Sequence, residues 1–245
     1  MNYNNFPPPL PQSSATQAIP QQQEWDLTSY ISKVMRKVYV KMFLGLLVTA
    51  ITSFLILSSE SALMFILGNS IVFFGLMFLE LGFVIAISMA INKLSPALAT
   101  LLFYAYAVLN GVTLAPIFLV YTESSIVLTF LVTAGVFLAM SIYGYTTKAD
   151  LTKIGSILFM ALIGLVVCSI VNIFLASSTM DWIISFAGVI IFIGLTAWDT
   201  QKIKQMAQET DEMNAGKLAT LGALSLYLDF INLFLYLLRL LGSRD

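Results

Sequence analysis

The sequence predicts an all-α membrane protein of seven transmembrane helices, and three observations predict it. Of its 245 residues, 59% are hydrophobic and only 10% charged, where a soluble domain has about 25% charged residues. So few charges cannot cover a water-facing surface. Apolar runs near the roughly 20 residues a spanning helix needs recur at 40–58, 70–91, 97–119, 125–145, 154–176, 182–202 and 218–241. Basic residues cluster at the amino-terminal flank and at alternate connections, and only Arg239 and Arg244, at the end of the last run, fall elsewhere.

Taken in order, residues 1–27 are rich in Pro, Gln, Ser and Asn and cannot bury enough apolar surface to offset chain entropy. They read as a disordered cytoplasmic tail, followed by a seven-helix domain over 28–242. The tail lacks the basic and apolar regions of a signal peptide, and its PPPLP run reads as a solvated spacer. A basic amphipathic stretch, Ser32 to Lys41, leads into the first span. Around 58–69 the run LMFIL reads as an interfacial turn. Pro96 suits the first position of the third span, whereas Pro116, inside that span, should kink it or end it early. The amino-terminal flank carries Lys33, Arg36, Lys37 and Lys41; the second, fourth and sixth connections carry Lys93, Lys148, Lys153, Lys202, Lys204 and Lys217. The other connections carry Glu60, Glu123 and Asp181. This alternation predicts a cytoplasmic amino terminus and, after seven spans, an outside carboxyl terminus.

Lysine plus arginine number 12 against 13 acidic residues, so no basic excess exists to hold nucleic acid. The chain has no histidine, which removes histidine-dependent triads and the usual zinc sites. Cys168 is the single cysteine, so intrachain disulfides are excluded. It reads as a packing residue.

Four ionisable residues fall within the spans: Glu80, Asp199, Asp229 and Arg239. A charge near the bilayer centre costs at least about 2.5–3.5 kcal/mol unless it finds a partner, a proton or water. The seventh span is the most informative. Gly222, Ser225, Asp229, Asn232, Tyr236 and Arg239 follow a 3, 4, 3, 4, 3 spacing that puts them on one stripe. In lipid such a stripe must face other helices or water, so this helix is expected to be central. A shorter row, Tyr106, Asn110 and Thr113 in the third span, reads as packing. Asp199 has two readings: an interfacial aspartate bridged to Lys202 and Lys204 beside Trp198, or a partner of Asp229. With boundaries near Gln205 and Lys217, Asp199 would lie about 9 Å deep and Asp229 about 18 Å, a mismatch that tilt or a deeper sixth span must reduce.

The stretches NGVTLAPIFLVYT at 110–122, MSIYGYTTKADLTKIGSILFMALIG at 140–164, GLTAWDTQKIK at 194–204 and LGALSLYLDFINLFLYLLRLLG at 221–242 make the chain resemble the Bax inhibitor-1 family, in a bacterial-type form. The resemblance covers roughly 38–242. It implies seven helices with the seventh central between two three-helix layers, a pH-dependent calcium leak, and, in bacterial relatives, a link to membrane protein quality control. It also implies that Asp199 and Asp229 are the family's paired aspartates and that Glu80 and Arg239 are linked. Lys93 stands where some members have an arginine that receives an aspartate on opening, and it is a poorer bidentate partner.

The expected function is therefore a pH-sensitive calcium (cation) leak in the bacterial inner membrane, gated by Asp199 and Asp229, with Glu80, Arg239, Ser225, Asn232 and Lys93 supporting. Two carboxylates close together cannot both ionise cheaply, so a shared proton would close the latch. Calcium would touch both aspartates as the transported ion, with no resident cofactor. The alternative is a non-transporting regulator that binds a membrane protease or cell-death and stress proteins. An enzyme is not expected: the Gly-x-Gly-Asp of intramembrane aspartyl proteases precedes neither aspartate, and no mid-span lysine exists for retinal.

Overall fold

The computed structural model describes residues 21–91 and 93–244, with side chains from residue 26 onward. Most of the expected tail, residues 1–20, lies outside the described residues, but 21–27 are already helical. Helix α1 runs Gln21–Leu57. At about 1.5 Å per residue it is about 55 Å long, well beyond the roughly 30 Å of a hydrocarbon core, so its first turns project from the membrane. A stripe of Ile31, Val34, Met35, Val38 and Met42 is buried along it, at the spacing of a helix face. This projecting part is anchored where Tyr30 Oη donates to the Thr210 carbonyl at 2.8 Å.

The remaining helices are α2 (Glu60–Leu67), α3 (Ser70–Ala90), α4 (Pro96–Leu114), α5 (Glu123–Thr146), α6 (Thr152–Leu175), α7 (Ser178–Glu209) and α8 (Ala215–Leu241). All but α2 are long and apolar enough to cross a membrane. The short α2 occupies the expected turn at 58–69. Pro116 acts as its chemistry requires: without an N–H it cannot continue the α pattern, and α4 gives way to a 3₁₀ turn over Ala115–Leu119. Side-chain caps mark several helix starts, with Ser59, Asn69, Ser95, Thr122 and Ser177 each accepting from a backbone N–H of the first turn.

Helix α8 lies in the middle. It packs against α1, α3, α4, α5 and α7. Around it α4 joins α1 and α3 into one layer, and α7 joins α5 and α6 into the other. Close approach at α7 depends on glycine. A Cβ on Gly144 would overlap the Ala197 carbonyl, and one on Gly155 would overlap the Trp198 ring. Helix α6 is peripheral, and Cys168 on it is exposed rather than packed inside. One end of the bundle carries Lys93 and Lys148 of the α3–α4 and α5–α6 connections, Lys153 at the start of α6, and Lys202, Lys204 and Lys217 on the two helices that flank the α7–α8 turn; this is the basic end.

Candidate functional site at the seam of α7 and α8

The connection between α7 and α8 spans only 210–214, so the two helices form an antiparallel hairpin and residues equidistant from the turn meet. Asp199 lies ten residues before Glu209, and Ser225 ten after Ala215. Both are therefore about 15 Å from the turn, and Asp229 lies one helical turn deeper, at about 21 Å. The depth difference expected from the sequence thus shrinks from about 9 Å to about 6 Å. The physical reason is that α7 continues to Glu209, which draws Asp199 inward.

The polar stripe of α8 faces α7 along its whole length. Gly222 lies close on Ile203, whose side chain a Cβ there would crowd at 3.1 Å. Ser225 and Asp199 line one cavity, and Asp199 and Asp229 are electrostatic neighbours. Tyr236 lies on Gly188 and stacks on Phe192, with ring centroids 5.9 Å apart. Arg239 pairs with Asp181 at 3.7 Å. Asn232 stays out of the pair, donating its amide to the Leu228 carbonyl of its own helix at 2.8 Å.

The two aspartates have different surroundings. Asp199 is partly buried and borders a cavity of about 270 Å³. Ser88, Lys202, Met206, Gly222 and Ser225 also line that cavity, which lies toward the basic end and has room for several waters. Asp229 is only 4% exposed and does not line it. Its Oδ2 is buried with no hydrogen-bond partner among the described residues. Neither lysine neutralises Asp199 by direct contact. Lys202 Nζ sits over the Trp198 ring, 4.8 Å from its centroid, and Lys204 donates to the Tyr145 carbonyl at 2.8 Å. The interfacial ion-pair reading of Asp199 therefore fails. Beyond Asp229 the seam is filled by Phe192, Leu195, Leu233, Leu237 and the Tyr236 ring.

Two expected supports are corrected. Glu80 does not pair with Arg239, which is held by Asp181 near the opposite end of the seam. Glu80 accepts instead from Thr113 Oγ1 at 2.5 Å and from Asn110 Nδ2 at 3.5 Å. The row Tyr106, Asn110 and Thr113 is thus the binding face for Glu80, because α3 packs mainly on α4. Tyr227 Oη donates to Asn110 Oδ1 at 2.9 Å and meets Thr49 Oγ1 at 2.6 Å, carrying the network into α8 and α1. Lys93 lies exposed in the turn after α3, outside the span and outside the cavity lining. Tyr227, Thr49 and Gln201 escaped sequence reasoning. Gln201 clamps the α5–α6 connection, accepting from Leu151 N and donating to the Ala149 carbonyl, both at 2.8 Å. Its only signal was an amide two residues after Asp199.

Seven spanning helices, six of them set around the central α8, with one buried and one partly buried carboxylate at the central seam, define a multi-pass integral membrane protein. Residues 31–245 match the sequence profile of the family described as inhibitor of apoptosis-promoting Bax1. The inner membrane protein YbhL of Escherichia coli (strain K12) is 49% identical over 213 residues, covering 86% of this chain and 91% of that protein. A protein of Borreliella burgdorferi is 47% identical over 215 residues, covering 87% and 93%. Protein RP147 of Rickettsia prowazekii is 44% identical over 217 residues, covering 87% and 91%. The chain belongs to the Bax inhibitor-1 family.

Proposed function

We propose that this protein is a pH-sensitive cation leak, with calcium as its ion, in a bacterial inner membrane, and that Asp199 and Asp229 are its gate. The observation that carries the proposal is the buried, unpartnered Oδ2 of Asp229 behind an Asp199 that opens on a cavity. A buried carboxylate oxygen without a donor is costly unless the group holds a proton or meets a cation. Asn at 229 would pack equally well without that cost.

In the closed state the pair shares a proton, and the Phe192–Leu195–Leu233–Leu237 packing blocks the seam beyond it. Loss of the proton leaves two negative charges in a poorly solvated space, and their repulsion drives α7 from α8. The separated carboxylates then offer hard oxygen ligands of the kind calcium prefers. Calcium takes six to eight oxygens, and among the described residues no group of three or more acidic or sulfur and imidazole ligands could hold a metal. Two carboxylates suit a hydrated ion in transit rather than a stored one. The basic end faces the cytoplasm, following the lysine distribution, so the cavity at Asp199 is the cytoplasmic entrance.

The test is calcium flux into liposomes across about pH 6 to 8, for wild type, Asp199→Asn, Asp229→Asn and the double variant. Wild-type flux should rise with pH, each single variant should lose that rise, and the double should be no worse than either single, since one coupled unit gives non-additive effects. Additive losses would mean two independent sites. Wild-type flux no greater than that of protein-free vesicles would overturn the channel and leave the regulator that binds a membrane protease or stress proteins.

A further inference from the structure

A second, larger cavity lies away from the carboxylate pair. It is a lateral groove of about 630 Å³ between α1 and α5, two helices that do not pack on each other. Its floor is Phe230 of α8, which meets Phe130 and Phe137 edge-on at 5.5 and 5.4 Å between ring centroids. The lining changes along its length. The deep end is Phe43, Leu46, Phe130 and Ala134, whereas the end toward the lysines carries Ser32, Tyr39, Ser141, Tyr145 and Thr146.

The length of the groove selects its occupant. On α1 it runs from Ser32 to Leu46, about 21 Å at 1.5 Å per residue. One leaflet, headgroup region included, is about 20–22 Å thick, and the hydrocarbon core alone about 30 Å across both leaflets. The groove therefore matches one leaflet and ends near the bilayer centre. A transmembrane helix from a partner or a second copy would need the full depth.

The polar end supplies the chemistry of a headgroup. Ser141 is 4% exposed, lines the groove, and its Oγ has no hydrogen-bond partner among the described residues. A change of rotamer would bring that buried, unpartnered hydroxyl into the groove, where an ester or phosphate oxygen would satisfy it. Lys33 and Arg36 are exposed on α1 beside Ser32 and Met35 of the lining, and Lys148 is exposed two residues past Thr146. Lys204 is fixed on Tyr145 of the lining, with Nζ 4.7 Å from its ring centroid. Basic pockets between spans hold anionic headgroups by this arrangement.

We infer that the α1–α5 groove is a binding site for one anionic phospholipid of the leaflet at the basic end, its acyl chain on Phe130 and Phe230 and its phosphate at Ser141, Arg36 and Lys204. The ligand holds the two helix layers together where their own side chains do not. The site is independent of the gate.

Native mass spectrometry of the full chain in mild detergent tests it, using phosphatidylglycerol with 16- and 18-carbon chains as probe and phosphatidylcholine of the same chains as control. One phosphatidylglycerol per chain is expected, held at least about tenfold more tightly than phosphatidylcholine, a preference that added salt weakens. Ala134→Trp fills the groove and should remove the bound lipid. The exposed pair Lys33→Gln with Arg36→Gln, which leaves the core untouched, should erase the preference while some chain binding persists. Equal binding of both lipids, unchanged binding in folded Ala134→Trp, or no lipid retained by wild type would overturn the proposal. A dimer whose cross-links run through a cysteine placed at Leu138 would overturn it too, by giving the groove to a second copy.

Discussion

Helices α3 and α8 each carry a carboxylate well inside a membrane span, yet they occupy opposite places in the bundle. The more apolar helix is the peripheral one: the most apolar stretch of α3 has a mean hydropathy of 2.4 with 6% of its residues buried, while that of α8 has 1.7 with 67% buried. In water this order would be reversed. In lipid, apolar surface gains nothing from leaving the solvent, and polar side chains drive helices inward. The two carboxylates follow their helices. Glu80 sits at the edge with donors at both oxygens, Thr113 and Asn110. Asp229 sits at the centre with one buried oxygen that no described residue hydrogen-bonds. A satisfied carboxylate holds two helices in register; an unsatisfied one is a poised group. That contrast separates structural acid from candidate gate without reference to sequence position.

The sharpest way to break the comparison is steric. Gly144 packs on the Ala197 backbone two residues before Asp199, and Gly82 on α3 has nothing within 4 Å of a new Cβ. Gly144→Ala must push α5 off α7, and should cost about 3 kcal/mol or more. Gly82→Ala should be neutral or stabilise by up to about 1 kcal/mol, since alanine suits a helix better. Thermal unfolding in detergent reads both. Equal effects would mean that the α7–α8 neighbourhood is no tighter than the rim.

A smaller effect is expected at the satisfied acid. Thr113→Val removes the short donor to Glu80 and keeps the shape, so it should cost about 1–3 kcal/mol as a hydrogen bond to a buried acid. Tyr227→Phe, which removes the donor to Asn110, should cost about 0.6 kcal/mol, the usual value between spans. Neither should alter the pH response of calcium flux. If Thr113→Val shifts that response as Asp229→Asn does, the division between the two carboxylates fails.

Much of this arrangement could be read from residues alone. The seven spans are legible because lipid demands about 20 apolar residues each, and the 3₁₀ end of α4 is legible in Pro116. The central place of α8 follows from its stripe at alternating spacings of 3 and 4. The partners across helices were less accessible. Asp199 and Ser225 meet because α7 runs to Glu209 and the turn is only 210–214, and a shift of a few residues in a helix end moves a side chain by several ångströms. The partner of Glu80 depends on α3 leaning on α4, which no local pattern encodes. The row Tyr106, Asn110 and Thr113 was visible, but a polar row names no addressee. Ser141 and the groove it lines arise from two helices that stand apart along much of their length, a property of the assembled bundle.

The smallest effect belongs to Arg239, and it tests whether the far end of the seam is a second latch. Arg239 and Asp181 are 3.7 Å apart, with side chains 44% and 43% exposed. At that exposure the attraction is screened, and holding a long arginine in one rotamer offsets part of it, so such a pair contributes at most about 0.5 kcal/mol. Arg239 also lies over the Tyr236 ring, 5.6 Å from the centroid, worth about 0.5 kcal/mol when exposed. Arg239→Gln should therefore lower stability by less than about 1 kcal/mol. A double-variant cycle with Asp181→Asn isolates the ion pair from the ring contact, and its coupling should vanish at about 1 M salt, where screening acts within about 3 Å. The pH response of flux should stay with Asp199 and Asp229. A salt-resistant coupling above about 2 kcal/mol, or a pH response lost with Arg239, would place part of the gate at this end and make the Phe192–Tyr236 stack beside it a working element rather than a seal.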